Sequence, residues 1–161
     1  MNAVKLIAML SGIESDFSQR IETSIQTETN PLVLAASIDA LNTTKLGEIS
    51  ALTLNSISDH LLYNNDPLVQ GKALEALTQL QHYDENVQQY IQRGLDSDSI
   101  DLQLSSMLSL DNLLNVDEEY GNSQIPAVTL KRITEIANNT ELPADVRMQA
   151  LSLMNTHMDT N

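Results

Sequence analysis

The stretch NDPLVQGKALEAL, residues 65–77, decides the fold because its pattern recurs along the chain. Asp66 and Pro67 are typical of a helix start, since the Asp side chain accepts hydrogen bonds from free amides of the first turn and Pro has no amide to leave unpaired. Beyond this start, apolar residues follow at steps of four, one and three, which is one face of an α-helix: Val69, Ala73, Leu74 and Leu77. We therefore expect a helix that begins near residue 67 and buries that face.

Three other segments repeat this pattern: NPLVLAASIDAL at 30–41, SIDLQLSSMLSL at 99–110 and PADVRMQALSLM at 143–154. A weaker copy, AVKLIAML, stands at 3–10 without a cap. Asn30 and Ser99 take the capping position that Asp66 holds in the first segment. Each segment then has a Val-type position, a small residue four positions later that allows a helix to approach closely, and large apolar residues. We expect the Val-type positions to be equivalent and buried; they are Val33, Val69, Leu102 and Val146.

Between these first, or A, helices lie second amphipathic segments, which we name B helices. Each carries an apolar stripe at helical spacing, and neighbouring hairpins must stack to complete a continuous core. The stripes are Ile13, Phe17, Ile21 and Ile25; Ile49, Leu52, Ile57 and Leu61; Val87, Tyr90, Ile91 and Leu95; and Val128, Ile133, Ile136 and Ala137.

The segment DPLVQGKALEAL resembles the first helix of a HEAT-like repeat, of the short bacterial type with Asp-Pro, Val, often Arg, and then Ala and Leu. The chain departs from that pattern after the Val, where Leu34, Gln70 and Gln103 stand and only Arg147 is kept. The resemblance implies an all-α, right-handed α-solenoid of about four stacked antiparallel helical hairpins. We expect one domain, 1–161, with units at 1–29, 30–64, 65–97 and 98–139 and a half unit at 140–158. A tetratricopeptide array has a similar period, but its Gly-Tyr and Ala-Phe signature is missing.

Composition narrows the classes of partner. Twenty-two acidic and 8 basic residues give a net charge of −14, which repels a phosphate backbone and an anionic membrane surface. The run AVKLIAML is too short to span a bilayer and does not read as a secretion signal. We expect no nucleic-acid or membrane binding and a soluble protein of unknown compartment, with the cytoplasm favoured unless a signal peptide has been removed. The absence of Cys excludes disulfides and thiolate chemistry.

The sequence contains none of the common catalytic motifs, so we expect no catalytic residue, no cofactor and no enzyme. The three His lack a metal-ligand arrangement. The acidic run DSDSID, residues 96–101, fails as a calcium loop because Ile100, Asp101 and Met107 stand where ligands or Gly are needed. We interpret this run as helix capping and expect no metal site.

The resemblance implies a scaffold or adaptor that binds a partner protein through the concave B-helix face or the A–B loops. The polar, mildly acidic residues there suit a basic or amide-rich protein segment, and the apolar N-terminal helix offers a surface for a homo-oligomer. A HEAT-like enzyme subunit of chromophore-lyase type and an acidic decoy of a nucleic-acid-binding protein are the alternatives. The expected partner-binding residues are Glu48, Asn55, Asp59, Tyr83, Gln88, Gln89, Gln92, Tyr120, Arg132 and Glu135.

Overall fold

The computed structural model describes residues 19–41, 49–80, 85–116 and 126–157, and every regular element in these ranges is helical. The all-α prediction is therefore confirmed for the part of the chain that is described. In chain order the helices are α1 (described over 19–27), α2 (Pro31–Ala40), α3 (Ala51–Tyr63), α4 (Pro67–Gln79), α5 (Glu85–Leu95), α6 (Ile100–Val116), α7 (Ala127–Asn138) and α8 (Ala144–His157).

The predicted helix starts are confirmed. Asn30 Oδ1 accepts hydrogen bonds from the amides of Leu32 (3.0 Å) and Val33 (3.4 Å) at the start of α2. Asp66 does the same at α4, with distances of 2.9 and 3.4 Å, and Ser99 Oγ accepts a 3.4 Å hydrogen bond at α6. Each cap satisfies amides that have no partner inside the helix, and such a cap contributes about 1 kcal/mol to stability.

The helices form two rows. In the even-helix row, α4 packs between α2 and α6, and α6 also packs against α8. Helices α4 and α6 run parallel, since Gly71 of α4 lies beside Ser105 of α6 and, further along both helices, Asn112 Nδ2 is 3.5 Å from Thr78 Oγ1. The odd helices α3, α5 and α7 each pack closely against the even helix that follows them.

Each odd helix also contacts the end of the odd helix before it. A side chain from α3, α5 or α7 reaches a backbone carbonyl in the last turn of the preceding odd helix, where carbonyls lack partners within the helix. These contacts, which we call the carbonyl ladder, tie one pair of helices to the next. They are His60 Nε2 with Ile25 O (2.7 Å), Tyr90 Oη donating to Leu62 O (3.1 Å) and Arg132 Nε donating to Leu95 O (3.1 Å).

The four Val-type positions are not equivalent, and that prediction is wrong for Val33. Val69 and Val146 are fully buried and Leu102 is half-buried, but 47% of Val33 is exposed. Among the described helices, α4 and α8 each pack against an even helix that precedes them, whereas α2 has none. The sequence pattern is therefore the same in the three helices, but among the described residues only α2 lacks the neighbouring helix that would bury its Val-type position.

The opposite end of the even-helix row shows the converse effect. Ile38, Leu74 and Met107 hold the first large apolar position of their segments and are fully buried, but the equivalent Leu151 of α8 is exposed. No later even helix packs against α8 within the described ranges. The prediction of a buried apolar face is thus wrong for this part of α8.

Two residues of the predicted B-helix stripes are also exposed. Leu52 is 62% exposed and Val128 is 61% exposed, and both are the second residue of their helix. The residue after each of them, Thr53 or Thr129, is buried instead. The buried face of each helix therefore begins one residue later than predicted. Thr53 and Thr129 contact the preceding odd helix through their hydroxyls, and hydropathy does not reveal such a contact.

Two glycines and two small residues of the pattern lie where helices cross closely. A Cβ built on Gly94 of α5 would lie 1.9 Å from Ser106 Oγ, and one on Gly71 of α4 would lie 2.7 Å from Ser105 Oγ. The small positions Ala73 and Ser106 are fully buried, as predicted. Helix α6 approaches α4 and α5 this closely because Gly71 and Gly94 have no side chain at the crossing points.

The hand of the helix array and the boundaries of the units stay predictions. The short connections join an odd helix to the next even helix, at residues 28–30, 64–66, 96–99 and 139–143. The weak copy at residues 3–10, which supported the predicted homo-oligomer surface, lies outside the described residues.

Candidate functional site

The predicted partner-binding residues are only partly described. Glu48, Tyr83 and Tyr120 lie outside the described ranges, so the predicted role of the A–B loops stays a prediction. Five of the others are exposed on odd helices, and we call their surface the odd-helix face. They are Asn55, Asp59, Gln88, Gln89 and Glu135.

Gln92 and Arg132 are half-buried and bind neighbouring helices. Gln92 Oε1 accepts a 2.7 Å hydrogen bond from Thr129 Oγ1, which joins α5 to the start of α7. Arg132 belongs to the carbonyl ladder through its Nε. Both side chains therefore hold α5 and α7 in position relative to each other.

The odd-helix face is not acidic over the part that is described. Asp59 and Glu135 share it with the exposed Arg93 and Lys131, and Lys131 Nζ lies 3.6 Å from Glu135 Oε1. Arg93 and Lys131 are not among the residues predicted from the sequence for this face. The spacing of Lys131 and Glu135, four residues apart on a helix, was the signal that could have shown the charge balance.

The carboxylates gather instead along what we call the short-turn edge: the four short connections and the first turn of the even helix after each. Acidic groups are favoured there because they cap helix starts and interact well with the positive end of the helix dipole. Asp98 and Asp101 are exposed there and make no ion pair within the described residues. The carboxylates of this edge are Glu28, Asp66, Asp96, Asp98, Asp101, Glu141 and Asp145.

A cleft of about 230 Å³ opens on the short-turn edge, between the α5–α6 connection and the C-terminal end of α7. Its lining includes Asp98, Gln103, Arg132 and Glu135. Arg132 forms ion pairs with Asp96 Oδ1 at 3.0 Å and with Glu135 Oε2 at 3.3 Å, in addition to its hydrogen bond to Leu95 O. Two residues named from the sequence, Arg132 and Glu135, thus meet in this cleft together with Asp98, for which the sequence predicted only a capping role.

Gln103 is the unusual residue of the cleft. It is 4% exposed, and its Nε2 donates a 2.6 Å hydrogen bond to Ser97 O, which fixes the orientation of the amide. Its Oε1 is buried without a hydrogen-bond partner among the described residues. A buried acceptor left unpaired costs the fold about 1–3 kcal/mol, and this oxygen has almost no surface that an incoming group could reach.

A second polar cluster lies inside the even-helix row. Lys72 Nζ contacts Glu75 Oε2 at 2.8 Å and Asp39 Oδ1 at 3.0 Å, and Ser105 Oγ donates to the other oxygen of Glu75. Burial by itself lowers the pKa of Lys72, but the hydrogen bonds and charges of Glu75 and Asp39 outweigh it and raise that pKa above its usual value. These contacts join α2, α4 and α6, so the cluster is explained by helix packing.

Within the described residues no group of three or more His, Asp and Glu side chains is arranged to hold a metal ion. No described helix combines the length and apolar character needed to cross a membrane. No protein-family model, curated protein or solved structure matches the chain.

Proposed function

We propose that this chain is a non-catalytic scaffold, a right-handed HEAT-like solenoid, that binds a basic segment of a partner protein along the short-turn edge. The observation that carries the proposal is the alignment of carboxylates on this edge, compared with the balanced charges of the odd-helix face. An acidic strip on a protein with a net charge of −14 attracts a basic segment and accelerates its association.

Rigidity of the carboxylates supports the same function. Asp66 and Asp96 are held by a helix cap and by Arg132, respectively. They stand on connections that join helices packed in two rows, so a partner would meet an edge that is already ordered. Preorganised groups bind with a smaller loss of conformational entropy.

The odd-helix face predicted from the sequence contributes to this function as an amide-rich neighbour of the edge. Asn55 and Gln89 are exposed at equivalent places of α3 and α5, two residues after the buried Thr53 and Val87. Amides of this kind bind the backbone of an extended segment without requiring charge.

Two triple variants of the full chain separate the two surfaces. The edge variant carries Asp98→Lys, Asp101→Lys and Glu141→Lys; the face variant carries Asn55→Lys, Asp59→Lys and Gln89→Lys. Partners captured from the native host by wild-type protein are quantified by mass spectrometry at several salt concentrations. We expect the edge variant to lose a basic partner and the salt dependence of its capture, because the attracting charges are reversed.

The face variant introduces the same number of lysines on the other surface, and it raises the net charge by 4 units where the edge variant raises it by 6. It should retain the partner more strongly than the edge variant does. Capture that is insensitive to salt and equal for wild-type protein and the edge variant would contradict the proposal. Circular dichroism of both variants establishes that the helices are intact.

A further inference from the structure

The two ends of the described even-helix row carry uncharged, partly apolar faces, although the chain has a net charge of −14. On α8 the exposed residues of this face, which we call the α8 end face, are Met148, Leu151, Ser152 and Asn155. On α2 the exposed residues of the α2 end face are Leu32, Val33 and Ala36. The end elements of a stacked helical array need a polar outer face to stay in water, so exposed apolar side chains at both ends indicate a contact with another element.

The α8 end face has the register of a packing face inside the molecule. Counted from the Val-type position, its residues stand at the second, fifth, sixth and ninth places. The residues of α4 at these places are all buried, and three of them contact α6. They are Gly71, beside Ser105; Leu74; Glu75, which accepts a hydrogen bond from Ser105; and Thr78, whose Oγ1 is 3.5 Å from Asn112 Nδ2. Helix α8 thus leaves exposed the places through which α4 packs against the next even helix.

The α2 end face has the register of the opposite half of that interface. In α4 and α6, the third place after the Val-type position contacts the sixth place of the even helix before it. These contacts are Lys72 Nζ with Asp39 Oδ1 and Ser105 Oγ with Glu75 Oε1. In α2 the third place is Ala36, and in α8 the sixth place is Ser152. The two exposed ends therefore hold the two halves of one interface.

We propose that a second copy of this chain supplies the missing half at each end: the α8 end face of one copy packs against the α2 end face of the next, in the register in which α4 packs against α6. Ala36 then meets Ser152, and these small uncharged side chains allow a close approach without burying a charge. The apolar residues on either side of this pair lose contact with water, which favours association. They are Leu32 and Val33 on one copy and Met148 and Leu151 on the other.

A copy of the same chain is complementary to both faces at once, whereas an unrelated partner would match only one. The contact differs from the homo-oligomer that the sequence predicted through the N-terminal helix, and it does not depend on the function proposed above. Because the two faces are different, each copy can bind two others, and association continues past the dimer.

The contact is small and the copies repel each other through their net charge, so association is weak and reversible. Dilute protein is monomeric, and Val33 stays exposed there. Salt screens the repulsion and strengthens the contact. This effect is opposite to the one that salt has on a basic partner bound at the short-turn edge.

Sedimentation equilibrium of the full chain, from micromolar to millimolar concentration and at low and high salt, tests the proposal. We expect the average mass to rise with concentration beyond that of a dimer, and to rise more at high salt. Val33→Lys blocks the α2 end face, and Met148→Lys blocks the α8 end face. Each variant alone should associate at least about tenfold more weakly, because an ammonium group would be buried without a partner.

An equal mixture of the two variants is the decisive sample. Each variant keeps the face that the other has lost, so the mixture should form a dimer with one copy of each and nothing larger. Recovery of this dimer also establishes that both variants are folded. Leu52→Lys is the matched control, since Leu52 is an exposed apolar residue of α3 outside both end faces, and it should associate as wild-type protein does. All three variants lower the negative charge equally, so added repulsion cannot explain a loss.

A monomer at every concentration would overturn the inference. So would equal weakening by Leu52→Lys, or a mixture of Val33→Lys and Met148→Lys that stays monomeric while wild-type protein associates. A monomer that also loses much stability in Val33→Ala would instead assign the cover of the α2 end face to residues 3–10 of the same chain.

Discussion

Glu22 shows how one side chain makes the contact between two odd helices depend on pH. Its Oε2 accepts hydrogen bonds from Ser50 Oγ and Thr53 Oγ1 at the start of α3, each 2.5 Å long. Partial burial raises the pKa of Glu22, but the hydrogen bonds from Ser50 and Thr53 outweigh it, and the net pKa is lowered from 4.5. The charged form is therefore the one that the fold stabilises.

Lowering the pH should weaken this contact. Below about pH 4.5 the unfolded chain takes up a proton at Glu22 before the folded chain does, so the stability that the group contributes at neutral pH is lost as the pH falls through the lowered folded pKa. We expect the stability advantage of wild-type protein over Glu22→Gln to be constant near neutral pH and to shrink below pH 4.5. Urea unfolding between pH 3 and 7 measures it.

Thr53→Val is the matched variant for this prediction. Valine has the shape of threonine without its hydroxyl, and Val87 already occupies the equivalent, buried position of α5. The substitution should reduce the pH dependence only in part, because Ser50 still donates to Glu22. A pH dependence equal to that of wild-type protein in both variants would contradict the assignment to Glu22.

At the scale of the element, the carbonyl ladder accounts for how the odd helices stay in register. Tyr90 of α5 donates to Leu62 O of α3 at 3.1 Å, and the guanidinium of Arg93 lies 5.2 Å from the centre of its ring. Phenylalanine would keep the ring contact and remove only the hydroxyl. The hydrogen bond can thus be tested with little change in packing.

Tyr90→Phe should lower the free energy of unfolding by about 1 kcal/mol, the usual net value of a hydrogen bond. Tyr63→Phe is the control, because Tyr63 is 75% exposed at the end of α3 and should be nearly neutral. Chemical denaturation of both variants measures the difference. Equal effects would mean that the hydroxyl of Tyr90 contributes no more than a solvated one.

At the scale of the whole molecule, the position of a helix in its row decides how much the apolar residues of the repeated pattern contribute to the free energy of unfolding. Val69→Ala, in α4 between two even helices, should cost about 2 kcal/mol in the free energy of unfolding, because apolar area is lost from a buried place. Val33→Ala, at the matching but exposed place of α2, should change it by less than about 0.5 kcal/mol. Calorimetry of the two variants makes the comparison.

A large loss of stability in Val33→Ala would contradict this account of the end helix. It would show that Val33 is covered in solution, as the repeat pattern predicted. A small effect of Val69→Ala would contradict the central packing of α4.

The sequence allowed the helix starts and most of the core to be predicted, because caps such as Asn30 and Asp66 act locally and helical spacing defines a face. It did not allow the exposure of Val33 or Leu151 to be predicted, since that depends on whether a further helix lies alongside. Nor did it identify the cleft. Gln103 reads as an ordinary polar residue of a helix until folding places it beside α7.

Within the described ranges the main packing contacts join neighbouring helices, and α4 packs against four of them: α2, α3, α5 and α6. A destabilising substitution in α4 would therefore weaken packing in both halves of the chain, whereas one in α8 would weaken packing against α6 and α7. We therefore expect sequence changes in α8 to leave the packing of α2, α3 and α4 intact, whereas the sequence of α4 is constrained by four neighbouring helices.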